Sequence, residues 1–247
     1  SSLVFGGKIW VYGGVGSDNS VLLDDICMSD SNGDWLSLPI TVPYEARFGH
    51  TALFYNGKMW VIGGKNASYL NEISCSIDGS IWTKLDDSPR FSPRYQHASA
   101  VFQGKMFVVG GWDNWAELKN DVWVSENGTN WESIATGEIF PGRAGHSLTV
   151  FNDRLWVIGG GVSGGKTNDI WHSSDGQSWT RVDIPVNSVF SPRVGHSCVV
   201  HDGKMWVIGG KTELGSTNDV WFTSDGIQWT NVAIDSGYPP VFGHHAH

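Results

Sequence analysis

What the chain lacks narrows its class before any motif is read. Its 247 residues hold no apolar run near the ~18 needed to span a membrane. Sixteen Lys and Arg stand against 25 Asp and Glu, a net charge of −9, and the basic residues form no cluster. That balance argues against nucleic acid or an acidic membrane as partner, and part of the acid is solvated surface in turns. Three cysteines, an odd number scattered along the chain, do not make a disulfide framework or a metal cluster. No stretch sustains a helical period.

What is present is one segment, over and over. GGKIWVYGG ends at Gly14, NGKMWVIGG at Gly64, QGKMFVVGG at Gly111, NDRLWVIGG at Gly160 and DGKMWVIGG at Gly210, a spacing of 47 to 50 residues. Four of the five glycine pairs are preceded by an Arg-x-Gly-His element: Arg47 to His50, Arg94 to His97 with Gln96 for glycine, Arg143 to His146, and Arg193 to His196. A fifth copy, with Val241 for arginine, runs Val241, Phe242, Gly243, His244. Each pair is followed by an Asn-Asp-apolar-Trp element, sharpest at Asn120–Trp123, Asn168–Trp171 and Asn218–Trp221, and then by a turn and a tryptophan, as in Asp175–Trp179.

Between landmarks lie short runs of Val, Ile, Trp and Thr bounded by Asn-Gly, Asp-Gly and Gly-Gly, which read as strands joined by tight hairpins. Four strands fit each unit, for example His50–Tyr55, Lys58–Ile62, an Asp-Val-Trp-x-Ser strand, and Trp229–Val232. Four-stranded units at this period are the signature of propeller blades. The pattern of Arg-x-Gly, a hydrophobic strand ending in Gly-Gly, an aromatic strand and a late Trp resembles the kelch repeat over the whole chain.

The expectation is therefore an all-β, five-bladed kelch-type β-propeller with four antiparallel strands per blade, a single domain over residues 1–247. Ser1 aligns with Thr51, just after His50, so Ser1 to Phe5 is expected to complete the strand that His244 starts. The N- and C-terminal segments then close the ring within one blade. His245, Ala246 and His247 overhang, and a chain that starts and ends inside a repeat reads as a piece excised from a longer protein.

The repeat absorbs most of the unusual composition. Twelve of 14 tryptophans occupy recurring positions and are expected to pack blade on blade. The glycine pairs open no helix and precede no Gly-Lys-Ser/Thr, so they read as backbone devices where strand two leaves the blade, not as a phosphate loop. Cys27, Cys75 and Cys198 stand where other repeats carry Trp123, Val124 and Leu148, as buried free thiols would.

Strand order puts short, uniform turns on one face of the ring and variable loops, from Lys65–Leu70 to Val15–Leu23, on the other, where binding residues are expected. That face carries aromatics six residues before each histidine (Tyr44, Phe91, Phe140, Phe190, Tyr238), then the arginines Arg47, Arg94, Arg143 and Arg193, then the histidines. Read structurally, the aromatics cover blade junctions, the histidines fix strand starts, and the arginines pair with Glu72, Asp121, Asp169 or Asp219. Read functionally, the arginines ring a channel mouth and clamp carboxylates or sulfates; the kelch resemblance implies peptide binding by such arginines, broken here at Val241.

Trp112 and Trp115 have no counterpart in the other repeats. With Asp113 and Asn114 between them, they form the candidate recognition loop: two indoles to stack on a sugar or anchor a protein, and two polar side chains to hydrogen-bond it. Tyr95, inside an Arg-x-Gly-His copy, joins the candidate ligand-binding set.

The function expected is a non-catalytic scaffold, monomeric, that recognises a protein or peptide through its variable face. The alternative is a glycan-binding propeller using Trp112 and Trp115. A sugar-processing oxidase or epimerase is the third reading, but Tyr69, Tyr95 and Tyr238 have no metal-ligand spacing, and Glu45, Glu117, Glu138 and Glu213 single out no acid–base pair. No catalytic residue, metal or cofactor is assigned. No targeting or membrane segment is expected in this chain, and an extracytoplasmic location is favoured; the sequons at Asn66 and Asn127 bear on it only in a glycosylating compartment.

Overall fold

The computed structural model describes residues 1–16, 21–30, 32–38, 45–85, 91–135, 139–185, 188–232 and 239–243. They are all strand, turn and loop, in five antiparallel sheets. Blade one is β1 (Ser2–Phe5), β2 (Lys8–Val15), β3 (Leu22–Ser29) and β4 (Trp35–Leu38); blade two is β5 (Thr51–Tyr55), β6 (Lys58–Lys65), β7 (Tyr69–Ser76) and β8 (Thr83–Lys84). Blade three is β9 (Arg94–Tyr95), β10 (Ala98–Phe102), β11 (Lys105–Asp113), β12 (Leu118–Ser125) and β13 (Glu132–Ser133). Blade four is β14 (Arg143–Ala144), β15 (Ser147–Phe151), β16 (Arg154–Val162), β17 (Gly165–Ser173) and β18 (Thr180–Arg181); blade five is β19 (Ser197–His201), β20 (Lys204–Thr212), β21 (Gly215–Thr223) and β22 (Thr230–Val232). Each sheet is a meander in sequence order, with β9 and β14 as short additions beside β11 and β16. The five sheets stand in a ring, a five-bladed β-propeller, and all five contribute residues, Ser1 to Cys198, to the lining of its central channel.

The hairpins form for the reasons the turn residues suggest. Ser76 Oγ accepts the Gly79 N–H at 2.8 Å while Asp78 Oδ1 accepts those of Ser80 and Ile81, and Ser125, Ser173 and Thr223 repeat the arrangement with Asn127, Asp175 and Asp225. These side chains satisfy backbone donors that the turn leaves unpaired.

One expectation needs correcting. Strand two does not leave the blade at the glycine pair; it runs through it, with a shift in register at the first glycine of every blade. That glycine has a φ of +42° to +60°, the left-handed setting of a glycine bulge. The extra twist carries the strand two or three residues further, and its far end pairs with the Arg-x-Gly-His segment, as in Arg94↔Asp113 and Arg143↔Val162.

The cores lie between blades. Among the described residues there are four, joining blades one and two, two and three, three and four, and four and five. At each, the aromatic three residues before the glycine pair lies over the hairpin glycine of the next blade: Trp10 on Gly79, Trp60 on Gly128, Phe107 on Gly176 and Trp156 on Gly226. A β-carbon on Gly128 would overlap the Trp60 ring, and its φ of +78° is unfavourable to any side chain. Gly128→Ala should therefore cost about 2–4 kcal/mol. Gly104→Ala, at a φ of +70° but with open space around it, should cost only about 1 kcal/mol in the same urea titration. Equal costs would mean that the indole does not need this seat.

The fifth Arg-x-Gly-His copy behaves as its sisters do up to Gly243. N–H donation runs from blade to blade, Gln96 to Gly49 O, Gly145 to Gln96 O, Gly195 to Gly145 O and Gly243 to Gly195 O. Val241 bonds to Gly210 and Thr217 as Arg193 does to Gly160 and Thr167. Ser1 exchanges backbone bonds with Tyr12, as its alignment with Thr51 requires. The expected junction at His244 and the overhang His245–His247 lie outside the described residues. All three cysteines are free thiols, but only Cys75 is buried; Cys27 and Cys198 are half-buried, Cys198 between a core and the channel.

Candidate functional site

The recurring landmarks of the repeat bond to one another. Arg143 donates from Nε to Pro141 O at 3.1 Å, from Nη1 to Gly159 O at 2.8 Å, and from Nη1 and Nη2 to the two Asp169 oxygens at 2.7 and 3.0 Å. The Asp169 carboxylate also accepts the Trp171 indole N–H at 2.9 Å. Arg94 with Asp121 and Trp123, and Arg193 with Asp219 and Trp221, build the same circuit. In blade two Glu72 replaces the aspartate and shares its charge between Arg47 and Lys84. Burial alone would raise the Glu72, Asp169 and Asp219 carboxyls, but their cationic partners, Lys84 and Arg47 for Glu72, Arg143 for Asp169 and Arg193 for Asp219, hold all three below the ordinary carboxylate value.

Every one of the four arginines is 0–1% exposed. Their guanidiniums point sideways into their own blade and lie over Phe91, Phe140 and Phe190 in three cases, at 5.2–5.3 Å from the ring centre. A basic ring open to a ligand is thus not what Arg47, Arg94, Arg143 and Arg193 present, because the guanidiniums are buried and spend their donors inside the blade, five of them in Arg94 and four each in Arg143 and Arg193.

The rings flanking the arginines are also internal. Phe91, Phe140 and Phe190 are fully buried, edge-on to Trp131, Trp179 and Trp229 at the blade junctions; Tyr44 and Tyr238 lie outside the described residues. His97 and His146 are wedged between the second glycine of their own blade and the first glycine of the preceding one. Burial drives the His97 imidazole down to about 3, with Arg94 adding to it, and pushes His146 well below its ordinary value.

What the variable face does present is an aromatic patch over blades two and three. Tyr95 packs edge-on against Phe48 and Tyr69, with centroids 5.5 and 5.4 Å apart. Lys65, paired through its backbone with Phe48, holds its ammonium 4.4 Å from the Tyr69 ring centre and 5.2 Å from that of Tyr95. Trp112 is the cross-strand partner of Tyr95, so both side chains leave the same side of the sheet. All five are half-buried.

The loop beyond Trp112 divides its expected roles. Trp115 is 65% exposed, with the Lys119 ammonium 5.7 Å from its ring, and Asn114 is exposed beside it. Asp113, by contrast, is fully buried: Oδ1 accepts the Trp115 and Glu117 N–H groups, and Oδ2 pairs with Lys119 at 2.9 Å. Its expected role as a hydrogen-bonding group for a ligand does not fit this position, since the turn from residue 113 to 117 takes Oδ1 and Lys119 takes Oδ2. Asp113 instead holds the tight turn that lifts Trp115 into solvent, with Ala116 at a φ of +59°.

Sequence reading missed Phe48 and Lys65. The signal was available: the variable residue of Arg-x-Gly-His is aromatic at Phe48 and Tyr95 but Ala144 and Val194 in blades four and five. Only the pairing of two adjacent blades shows that these aromatics meet.

Among the described residues no group of three or more His, Cys, Asp or Glu is placed to hold a metal ion. Among the described residues no helix is long and apolar enough to cross a membrane. Compared with known protein families, the chain matches the KLHDC2/KLHL20/DRC7 Kelch-repeats domain over residues 1–184 and again over 127–247. No curated protein matches it.

Proposed function

We propose that this chain, which belongs to the KLHDC2/KLHL20/DRC7 Kelch-repeats family, is a non-catalytic scaffold that binds a protein or peptide partner on the aromatic patch of blades two and three. Kelch propellers are in general protein-binding scaffolds, which sets the class of partner. The observation that carries the location is the contrast between two populations of aromatic rings. Those at repeat positions are mostly sealed between blades or tied to the arginine circuits, whereas Phe48, Tyr69, Tyr95, Trp112 and Trp115 gather on one stretch of the loop-bearing face.

Partly exposed aromatics on a rigid frame supply contact area at low entropic cost, and interface hot spots are enriched in Trp and Tyr. Lys65 and Lys119 border the patch and suit an apolar or aromatic anchor flanked by carboxylates. The arginine circuits support the site from beneath by fixing β9 and the end of β11.

The test is a selection of displayed random peptides on the wild-type chain, beside a glycan array. Trp115→Ala and Tyr69→Ala should leave the melting temperature within about 2 °C, yet each should weaken the selected peptides at least about tenfold, 1.4 kcal/mol. Peptides that bind both variants as well as wild type would place recognition elsewhere. Glycan binding lost in the Trp115 variant, with no peptide enriched, would replace this reading by the lectin one.

A further inference from the structure

The segments that lead into the innermost strands are joined to one another across the mouth of the channel. Gln96 N–H donates to Gly49 O at 2.7 Å, Gly145 N–H to Gln96 O at 2.8 Å, Gly195 N–H to Gly145 O at 2.8 Å and Gly243 N–H to Gly195 O at 2.6 Å. Each donor in this arc lies two residues before the channel lining or in the matching place of the fifth copy. All five residues are left-handed, with φ from +54° to +67°. Glycine adopts that setting freely, whereas a residue with a β-carbon is strained in it. Four of the five are glycine, and the one in blade three is Gln96.

Nothing in the backbone asks for a side chain there. The Gln96 N–H and C=O make the same two bonds as those of Gly145 and Gly195, one to each neighbouring blade. Every other non-glycine residue at positive φ, among the described residues, lies in a turn between strands of one blade. The following blade leaves room for the side chain. A β-carbon added to Gly49 would meet Tyr95 at 3.0 Å, and one added to Gly145 would meet Val194 at 3.4 Å. The corresponding neighbour of Gln96 is Ala144, the smallest of the set Phe48, Tyr95, Ala144, Val194 and Phe242. Gln96 is exposed, and among the described residues no hydrogen bond holds its carboxamide.

The surroundings of that carboxamide are apolar. Among the arc residues and the residues just before them, only Tyr95 and Gln96 carry a hydrogen-bonding side chain, and the N–H and C=O of Gln96 are already spent within the arc. A strained residue kept where its sisters are glycine, with a free polar group beside an aromatic patch, is a mark of function. We infer that Gln96 is a specificity-determining residue of the binding face: its carboxamide pairs with the N–H and C=O of one residue in an extended peptide that runs from the aromatic patch onto the channel mouth. This rests on the peptide-binding reading above and adds the group that fixes the path of the peptide. In an extended chain the N–H and C=O of one residue point the same way, as in a strand pair that exchanges both bonds. Oε1 of Gln96 accepts that N–H, and Nε2 donates to that C=O.

The probes are displayed random peptides whose binding to the wild-type chain depends on Tyr69, each remade with a single N-methyl group at successive positions. On the wild type, one methyl position should weaken binding at least about tenfold, because it removes the N–H that Gln96 accepts. On Gln96→Gly the unmethylated peptide should already be at least about tenfold weaker, and that same methyl group should then cost no more than about twofold. Gln96→Glu keeps the stem beside Ala144 and the same backbone setting but turns a carboxylate on the peptide C=O, so it too should lose at least about tenfold. Stability should move the other way: the melting temperature of Gln96→Gly should rise by about 2 °C or more as the strain is relieved, and that of Gln96→Glu should stay within about 2 °C.

Tyr69-dependent peptides that bind both variants as tightly as wild type would overturn this inference and leave the patch standing. Binding lost in Gln96→Gly but kept in Gln96→Glu would make the side chain a filler over Ala144 and overturn it as well. A methyl group that costs as much on Gln96→Gly as on wild type would do the same. If no Tyr69-dependent peptide is enriched at all, the peptide-binding reading fails and this inference falls with it.

Discussion

Arg143→Ala should lower the stability of the chain by about 3–5 kcal/mol, the cost of leaving a buried carboxylate without its partner. The Asp169 side chain is only 10% exposed, and the arginine that would go supplies both of its ionic bonds. Two backbone carbonyls, Pro141 O and Gly159 O, lose their donor at the same time. For a domain of this size the loss corresponds to a fall in melting temperature of about 10–15 °C.

Arg143→Lys should recover little of this, since an ammonium cannot span the two carboxylate oxygens and the two carbonyls together. Arg47→Ala should be milder, because Glu72 is 22% exposed and keeps Lys84 as a counter-ion. Chemical denaturation of the three variants gives the order directly. A loss below about 1 kcal/mol for Arg143→Ala, with ligand binding abolished, would return the arginines to the binding face and remove the structural circuit.

The second large effect is expected in acid. The His97 ring has a folded-state value of about 3 against an ordinary 6.5, and that of His146 is also strongly depressed, burial being the main cause in both. Between those limits the unfolded chain takes up protons that the folded chain refuses, so unfolding is favoured increasingly as pH falls. The contribution is complete above about pH 6.5 and decays below it; for His97 alone the loss reaches about 4 kcal/mol near pH 3.

The depressed carboxyls of Glu72, Asp169 and Asp219 act in the same direction at the acid end, since their stabilisation is present above the ordinary carboxylate value and lost as pH falls through the folded one. Urea midpoints measured from pH 8 to pH 3 should be flat at first and then drop steeply below pH 6.5. His97→Asn, whatever its cost at pH 8, should show a shallower slope between pH 6.5 and 4. An unchanged slope would mean that the buried imidazoles are not what makes the ring sensitive to acid.

The residues of the functional patch differ in how they could be found. Trp112 and Trp115 stood out in sequence because nothing in the repeat accounts for them, and Tyr95 joined them as a candidate from within an Arg-x-Gly-His copy. Asp113 looked equally exposed by its neighbours, and only the fold of its turn shows it buried. Phe48 became interesting once its ring was seen against Tyr95, a contact between two blades separated by a full repeat.

By itself the sequence determined the five units, the four strands of each, the identity of the hairpins and the face that bears variable loops. These depend on local turn chemistry, on alternation along a strand and on neighbours one repeat away, all of which recur at fixed spacing. The tertiary structure decided two matters: that the arginines face inward to Glu72, Asp121, Asp169 and Asp219, and that five aromatics converge over blades two and three. Each depends on where a side chain points or on the rotation accumulated from blade to blade. A repeat of about 49 residues fixes what one blade needs from the next; which side chains of different blades then meet is set by their packing angle, which no single repeat contains.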